Sequence, residues 1–257
     1  MLCQKNKSLF YTAWVKLIFA YLSSFAISFI VGLFFISILQ ISPETIFEIS
    51  TKRVSYAATV FTTAARIGID QGILLFIWNT FAALVTISFL YTSSLFNPHN
   101  KSLFPQSIRK IFLGTKRMKI LCYLPGCSKI EEEPLRRLFV WLMIPYLGII
   151  LLGLESGLTI STSTYVFGSY FIGFISFIPH GILEIPTITF AGATTFSAHL
   201  LIKDKIQKDT TNQIFEDVEI FKNEVALKKT ILIIMFCLLI AGLIEGHITQ
   251  KILNTLL

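Results

Sequence analysis

The stretch "FISFIPHGILEIPTITFAGA", Phe174 to Ala193, reads as a membrane span whose middle is interrupted by Pro179, His180, Gly181, Glu184 and Pro186. A charge at a bilayer centre costs about 2.5–3.5 kcal/mol on insertion scales, so His180 and Glu184 need a physical reason to sit there. Pro179 disfavours helical geometry at Ile178, Gly181 relaxes the backbone, and Pro186 fits the first turn of a new helix, where its missing donor does no harm. The segment therefore reads helix, break, helix. Backbone groups freed at such a break need protein or water partners, because lipid offers none. If the new helix begins before His180, then His180 and Glu184, four residues apart, share a face. If His180 is still in the turn, Glu184 falls in the first turn of the helix, at the positive end of its dipole.

Around this stretch the chain stays apolar for 44 residues, Thr159 to Ile202, too long for one untilted helix of about 20. It reads as two segments joined at "IPHG". They form either two full spans, 159–178 and 182–202, or a re-entrant hairpin over 159–202. Further spans run from 17–40, 72–94, 138–157 and 230–248. The count is about six spans, or four plus the hairpin. The chain is 54% hydrophobic and 14% charged with a mean hydropathy of +0.71, which excludes an ordinary soluble domain, where charged residues make up about 25%. The expected fold is an all-α, polytopic integral membrane bundle forming a single domain over residues 1–257, with interfacial amphipathic helices.

Between Leu95 and Arg137 lie nine lysines and arginines against three acids, Glu131 to Glu133. Such an excess in a short loop marks the cytoplasmic side and carries the N-terminus, with Lys5 and Lys7, to that side. The topology puts thirteen basic residues inside and nine outside, with 203–229 outside and the C-terminus inside. The expected location is the cell membrane, multi-pass, with a cytoplasmic N-terminus. Within the loop, residues 101–119 interleave basic and large apolar residues, a pattern that suits anionic lipid as well as a solvated loop. Nucleic acid is not an expected partner, since the basic residues lie beside apolar runs. The cysteines, Cys3, Cys122, Cys127 and Cys237, imply no disulfide framework. Cys122 and Cys127 offer half a zinc site with no second ligand pair to match.

Residues Glu44 to Asp70 place Val54, Ala57, Ala58, Phe61, Ala65 and Gly68 on one helical face, which predicts an interfacial amphipathic helix. Residues 203–229 carry six basic and six acidic residues, with Ile214, Val218, Phe221 and Val225 as an apolar seam. Glu216, Asp217, Glu219 and Phe221 are the candidate partner-docking surface there. Gly148, Gly153, Gly157, Gly168, Gly173 and Gly192 read as helix-packing positions, Asn79 as an interhelical hydrogen-bonding residue, and His199 as interfacial.

The candidate polar intramembrane site gathers His180, Gly181, Glu184, Asn79, Glu155, Glu245 and His247. Two histidines and several carboxylates could bind a divalent metal if the fold assembled them. No histidine pair flanks a glutamate in the sense of "HExxH", so no metal or cofactor is expected. Ser156, in "LESGL", has no base or oxyanion donor in its sequence context and reads as a packing serine.

"PHGILEIPTITFAGA" resembles the signature of the stage II sporulation protein M family, in which a histidine-glycine pair is followed by a glutamate, then a small apolar residue or proline, and an alanine/glycine-rich helix. "GLIEGHIT", Gly242 to Thr249, is similar to that family's final span, and "FIWNTFAAL", Phe76 to Leu84, to an early asparagine-bearing span. The chain departs from the pattern where an asparagine-glycine pair precedes the signature, a place taken here by "LGIILLGLESGLTIS", and in lacking final-span prolines. The resemblance implies a polytopic membrane protein without assigned catalysis. In endospore formers it implies a role in engulfment as anchor for peptidoglycan-degrading partners, with His180, Gly181, Glu184, Glu245 and Asn79 as family-defining positions. The expected function is a non-enzymatic scaffold for membrane or envelope proteins, with a second copy of the chain as a further candidate partner. The alternatives are a transporter or channel component with a polar site at His180 and Glu184, and an intramembrane metal-dependent hydrolase.

Overall fold

The computed structural model describes residues 4–97, 127, 130–206 and 208–256. Its helices are α1 (Gln4–Ser37), α2 (Pro43–Arg66), α3 (Gln71–Tyr91), α4 (Glu133–Val166), α5 (Tyr170–Ile175), α6 (Ile178–Lys205), α7 (Thr211–Glu224), α8 (Leu227–Leu243) and α9 (Gln250–Leu256). A 3₁₀ turn, Thr92–Phe96, extends α3, and a π-helical turn, Ile244–Thr249, joins α8 to α9. Among the described residues there is no strand, so the all-α bundle is formed. Among the described residues, five stretches are long and apolar enough to cross a membrane: Asn6–Ser37, Gln71–Phe96, Glu133–Val166, Ile178–Lys205 and Leu227–Leu256.

That count corrects the division of 159–202. Residues 159–166 are the end of α4, which at 34 residues runs about 51 Å and needs no break at Gly157. Gly168, at φ +61°, supplies the left-handed turn that stops it, with Ser169 N–H bonding back to Thr164. A six-residue helix, α5, then leads into α6, which starts at Ile178 and passes through Pro186 without a break. Pro179 sits in its first turn, where a missing N–H costs nothing. The break is therefore just before "IPHG", and 159–178 is neither a separate span nor one arm of a hairpin.

The α6 helix is the centre of the bundle, packed by α1, α3, α4 and α8. Its sequence permits this: Thr187, Thr189, Ala191, Gly192, Ala193, Thr194, Thr195, Ser197 and Ala198 are all buried and small enough for four neighbours to approach. The hydroxyls of Thr187, Thr189, Thr194 and Ser197 donate to carbonyls four residues back, and Thr195 donates across to the Thr86 carbonyl of α3 at 2.8 Å. No buried hydroxyl in that set is left facing hydrocarbon. The Trp14 indole donates to the Pro186 carbonyl and the Thr189 hydroxyl, each at 3.1 Å, and so fastens α1 to α6.

α1 and α4 lie parallel along a seam of small residues. Ser24 faces Gly153, Ser28 faces Gly157, and Gly32 faces Ser161. The spacing of four on both helices keeps one residue pair per turn in register, and the Ser28 hydroxyl reaches the Gly153 carbonyl at 3.3 Å. Gly148, by contrast, has open space beside it and packs on nothing. Phe19, Ile30, Leu232 and Phe236 point away from the bundle, as lipid-facing residues do.

The N-terminal turn of α1, the end of α3, the start of α4, the end of α6 and all of α7 share one end. Leu9, Leu90, Phe96, Leu135, Leu138, Phe139, Ile202, Ile214, Phe215, Val218 and Phe221 form one apolar cluster there. Asn6 donates to Glu224 at 2.7 Å, and Lys205 pairs with Asp217 and Asp209. This overturns the placement of 203–229 on the side opposite the N-terminus, because four spans precede α7, not the five of the six-span reading, and an even number brings the chain back to its starting end. His199 moves likewise. It is buried at this end, with Nδ1 3.0 Å from the Phe139 carbonyl and its ring between Phe139 and Phe196.

At the opposite end α2, capped by Ser42, lies against α4, and the Thr159 hydroxyl donates to Ser50 at 3.1 Å. Its bundle-facing residues include Ile46, Ser50 and Ala64, while Ala65 and Gly68 are exposed, which corrects that part of the expected face. The side chains of Val54, Ala57 and Ala58 lie outside the described residues, as do Cys3, Cys122 and the 101–119 segment.

Candidate functional site

Because α6 begins at Ile178, His180 and Glu184 stand one turn apart on the same face of its first two turns. The first of the two geometries open to the sequence is the one formed. Glu245 arrives from the π-helical turn of the last span, a distortion that recurs at functional sites because it re-aims side chains out of helical register. One imidazole nitrogen of His180 and one carboxylate oxygen each from Glu184 and Glu245 all lie within 4.8 Å of one another. Asn79, from α3, donates its amide to Glu184 Oε1 at 3.1 Å.

Three glycines bring these elements together. A Cβ on Gly246 would meet the Gly72 nitrogen at 2.6 Å, one on Gly242 the Gly72 carbonyl at 2.6 Å, and one on Gly72 the Gly242 carbonyl at 2.9 Å. The backbones of α3 and the last span thus touch, which carries Asn79 and Glu245 to the same depth beside α6. Gly181 has a different use: a Cβ there would press on the Phe177 ring, which lies edge-on to His180 at 5.3 Å.

His180 is 7% exposed, and its Nδ1 has no hydrogen-bond partner among the described residues. Leaving a buried polar atom unpaired costs about 1–3 kcal/mol, so this nitrogen is poised for an interaction its described neighbours do not supply. Nor does any ion pair join Glu184 or Glu245 to a lysine or arginine among the described residues. The site is an imidazole and two carboxylates, one of them oriented by an amide, in an otherwise apolar setting.

The structure separates the remaining expected members. His247 is half exposed and its Nε2 lies 3.1 Å from Asp70, the residue that also caps α3 by accepting from Ile73 N–H. Glu155 is half-buried on α4, outside the three-residue group. Ser156 donates to the Leu152 carbonyl at 2.8 Å, as a packing serine does. Tyr21 was not singled out from the sequence, yet it is 2% exposed and its buried hydroxyl has no hydrogen-bond partner among the described residues. A lone tyrosine inside an otherwise apolar span, with a phenol that needs a polar neighbour, was the available signal.

On α7 the docking residues divide. Phe221 is 1% exposed in the apolar cluster and cannot meet a partner, and Asp217 is committed to Lys205. Glu216, Glu219 and Ile220 face outward.

Neither a curated protein nor a solved structure matches the chain. The profile of the family described as Stage II sporulation protein M matches residues 4–250, a stretch that holds every long helix and all four residues of the Asn79, His180, Glu184 and Glu245 group. Since that match spans nearly the whole chain, this multi-pass helical membrane protein belongs to the stage II sporulation protein M family.

Proposed function

We propose that the protein is a non-enzymatic membrane scaffold whose partner docks on α7. The observation that carries this reading is that α7 is fixed to the bundle on one side and, among the described residues, exposed on the other. Ile214, Phe215, Val218 and Phe221 are buried against α4 and α6, Lys205 holds Asp217, and Asn6 holds Glu224. Holding a 14-residue, half-polar helix flat on the bundle costs chain entropy, and the rigid Glu216, Glu219 and Ile220 face is what it presents in return. Acidic residues flanking an isoleucine suit a basic segment with an apolar contact point, as on another membrane protein.

Co-purification from native membranes at equal expression tests this. The Glu216→Lys/Glu219→Lys variant is expected to lose a defined partner set while keeping wild-type yield and elution, since the Glu219–Lys222 pair is at the surface and worth at most about 1 kcal/mol. Equal recovery of the same proteins by both forms would overturn the reading.

The α7 end is the cytoplasmic one in this proposal. All of the 22 lysines and arginines except Lys52, Arg53, Arg66 and Lys251 fall in segments that begin and end there, a far steeper bias than the six-span topology gave. With the native cysteines replaced, Lys208→Cys is expected to be shielded from an impermeant maleimide in intact cells and Tyr170→Cys to be labelled. The reverse pattern would invert the orientation.

A further inference from the structure

We propose that His180, Glu184 and Glu245 form a binding site for one divalent transition-metal ion. Three independent features point there. The donor set is an imidazole nitrogen and two carboxylate oxygens, borderline-hard ligands that suit zinc, manganese, iron(II) or cobalt(II) and not soft copper(I). The two carboxylates are brought within 4.8 Å of each other, with no lysine or arginine paired to either among the described residues; a doubly charged cation neutralises the pair where the protein does not. The His180 ring is more than nine-tenths buried and its Nδ1 lacks any partner among the described residues, which is the state of a nitrogen whose lone pair or proton is answered by a ligand.

The geometry is that of an open three-ligand site. Donors around a tetrahedral ion with bonds near 2.0–2.2 Å are about 3.4 Å apart, so the three donors, now within 4.8 Å of one another, draw in on binding by an ångström or so. Asn79 fixes Glu184 through Oε1 and so acts as the outer partner that orients a ligating carboxylate. A fourth position remains for water. Because Glu245 comes from the last span and the other two ligands from α6, a bound ion ties these helices together at the end opposite α7. The inference stands apart from the docking role of α7 and does not depend on it.

The full chain, purified in detergent, stripped with chelator and then exposed to zinc, manganese, iron(II) or cobalt(II) alone, supplies the test. Wild type is expected to retain about one equivalent of one of these after desalting, and cobalt to give the visible absorption of a low-symmetry site that zinc bleaches. Glu245→Gln and His180→Asn are each expected to weaken retention at least tenfold, while Glu155→Gln and His247→Asn keep it. If His180→Asn does not fold, Glu245→Gln and the wild-type cobalt spectrum still decide. No retained metal in wild type, or equal retention in folded Glu245→Gln, would overturn the proposal, and either result leaves partner docking at α7 unaffected.

Discussion

Gly157→Leu is expected to prevent the protein from accumulating in folded form, while Gly148→Leu, on the same helix, leaves yield and elution unchanged. A Cβ on Gly157 would collide with the Ser28 hydroxyl, the Phe25 carbonyl and the Phe29 nitrogen, the last at 2.8 Å. Two of these three are backbone atoms of α1, so no rotamer change relieves the clash. The helices must move apart. Separation then opens the Ser24–Gly153 and Gly32–Ser161 contacts on either side, because the seam repeats every four residues and has one register. In a membrane there is no hydrophobic force to hold the pair at a greater distance, since lipid tails replace the lost contacts. Alanine at 157 carries the same colliding Cβ and is expected to cost at least about 1–3 kcal/mol, with leucine costing more. Fluorescence-detected size exclusion on whole-membrane extracts reads the outcome. A monodisperse Gly157→Leu peak at wild-type height would mean that α1 and α4 do not pack along this seam.

Asn79→Leu is expected to lower stability by about 1–3 kcal/mol, and a second substitution, Glu184→Leu, to recover most of that loss. The amide of Asn79 donates to Glu184 at 3.1 Å within the bundle. Removing the donor alone leaves a carboxyl group without its partner and carries the full desolvation penalty. Removing both replaces a polar pair by apolar packing, which is often neutral. Neutral hydrogen-bonded pairs between membrane helices average only about 0.6 kcal/mol, so a loss above about 1 kcal/mol also reports that Glu184 is worth more than an ordinary polar contact. Thermal unfolding of the metal-free protein, followed for wild type, both single variants and the double variant, closes the cycle. Additive losses in the double variant would show that Asn79 and Glu184 do not act as a pair.

Fold class and family were legible because they rest on local signals. Long apolar runs with few charges leave a membrane helix as the only way to satisfy the backbone, and the histidine-glycine-glutamate signature is contiguous. Asn79, His180, Glu184 and Glu245 were legible as polar residues where polarity is costly. Which of them meet was not, because the meeting depends on three chain segments crossing. Gly72, Gly242 and Gly246 determine that crossing, and Gly72 lies 170 residues before Gly242 in the chain. His247, two residues from Glu245, pairs instead with Asp70.

The number of spans failed for a related reason. Proline and glycine at "IPHG" signal a break within a residue or two, and the helix in fact starts at Ile178. The sequence could not say whether the chain before it was one span or the tail of another, since α4 runs past the roughly 20 residues that a bilayer requires. That difference reversed the side assigned to α7. By itself, then, the sequence determined an α-helical membrane chain, its family and the residues for which burial is expensive, because each follows from local composition and the bilayer's demand on the backbone. Only the tertiary structure decided which helices touch, which end α7 occupies and which carboxylates share a site, because those follow from close backbone approach between segments distant in the chain.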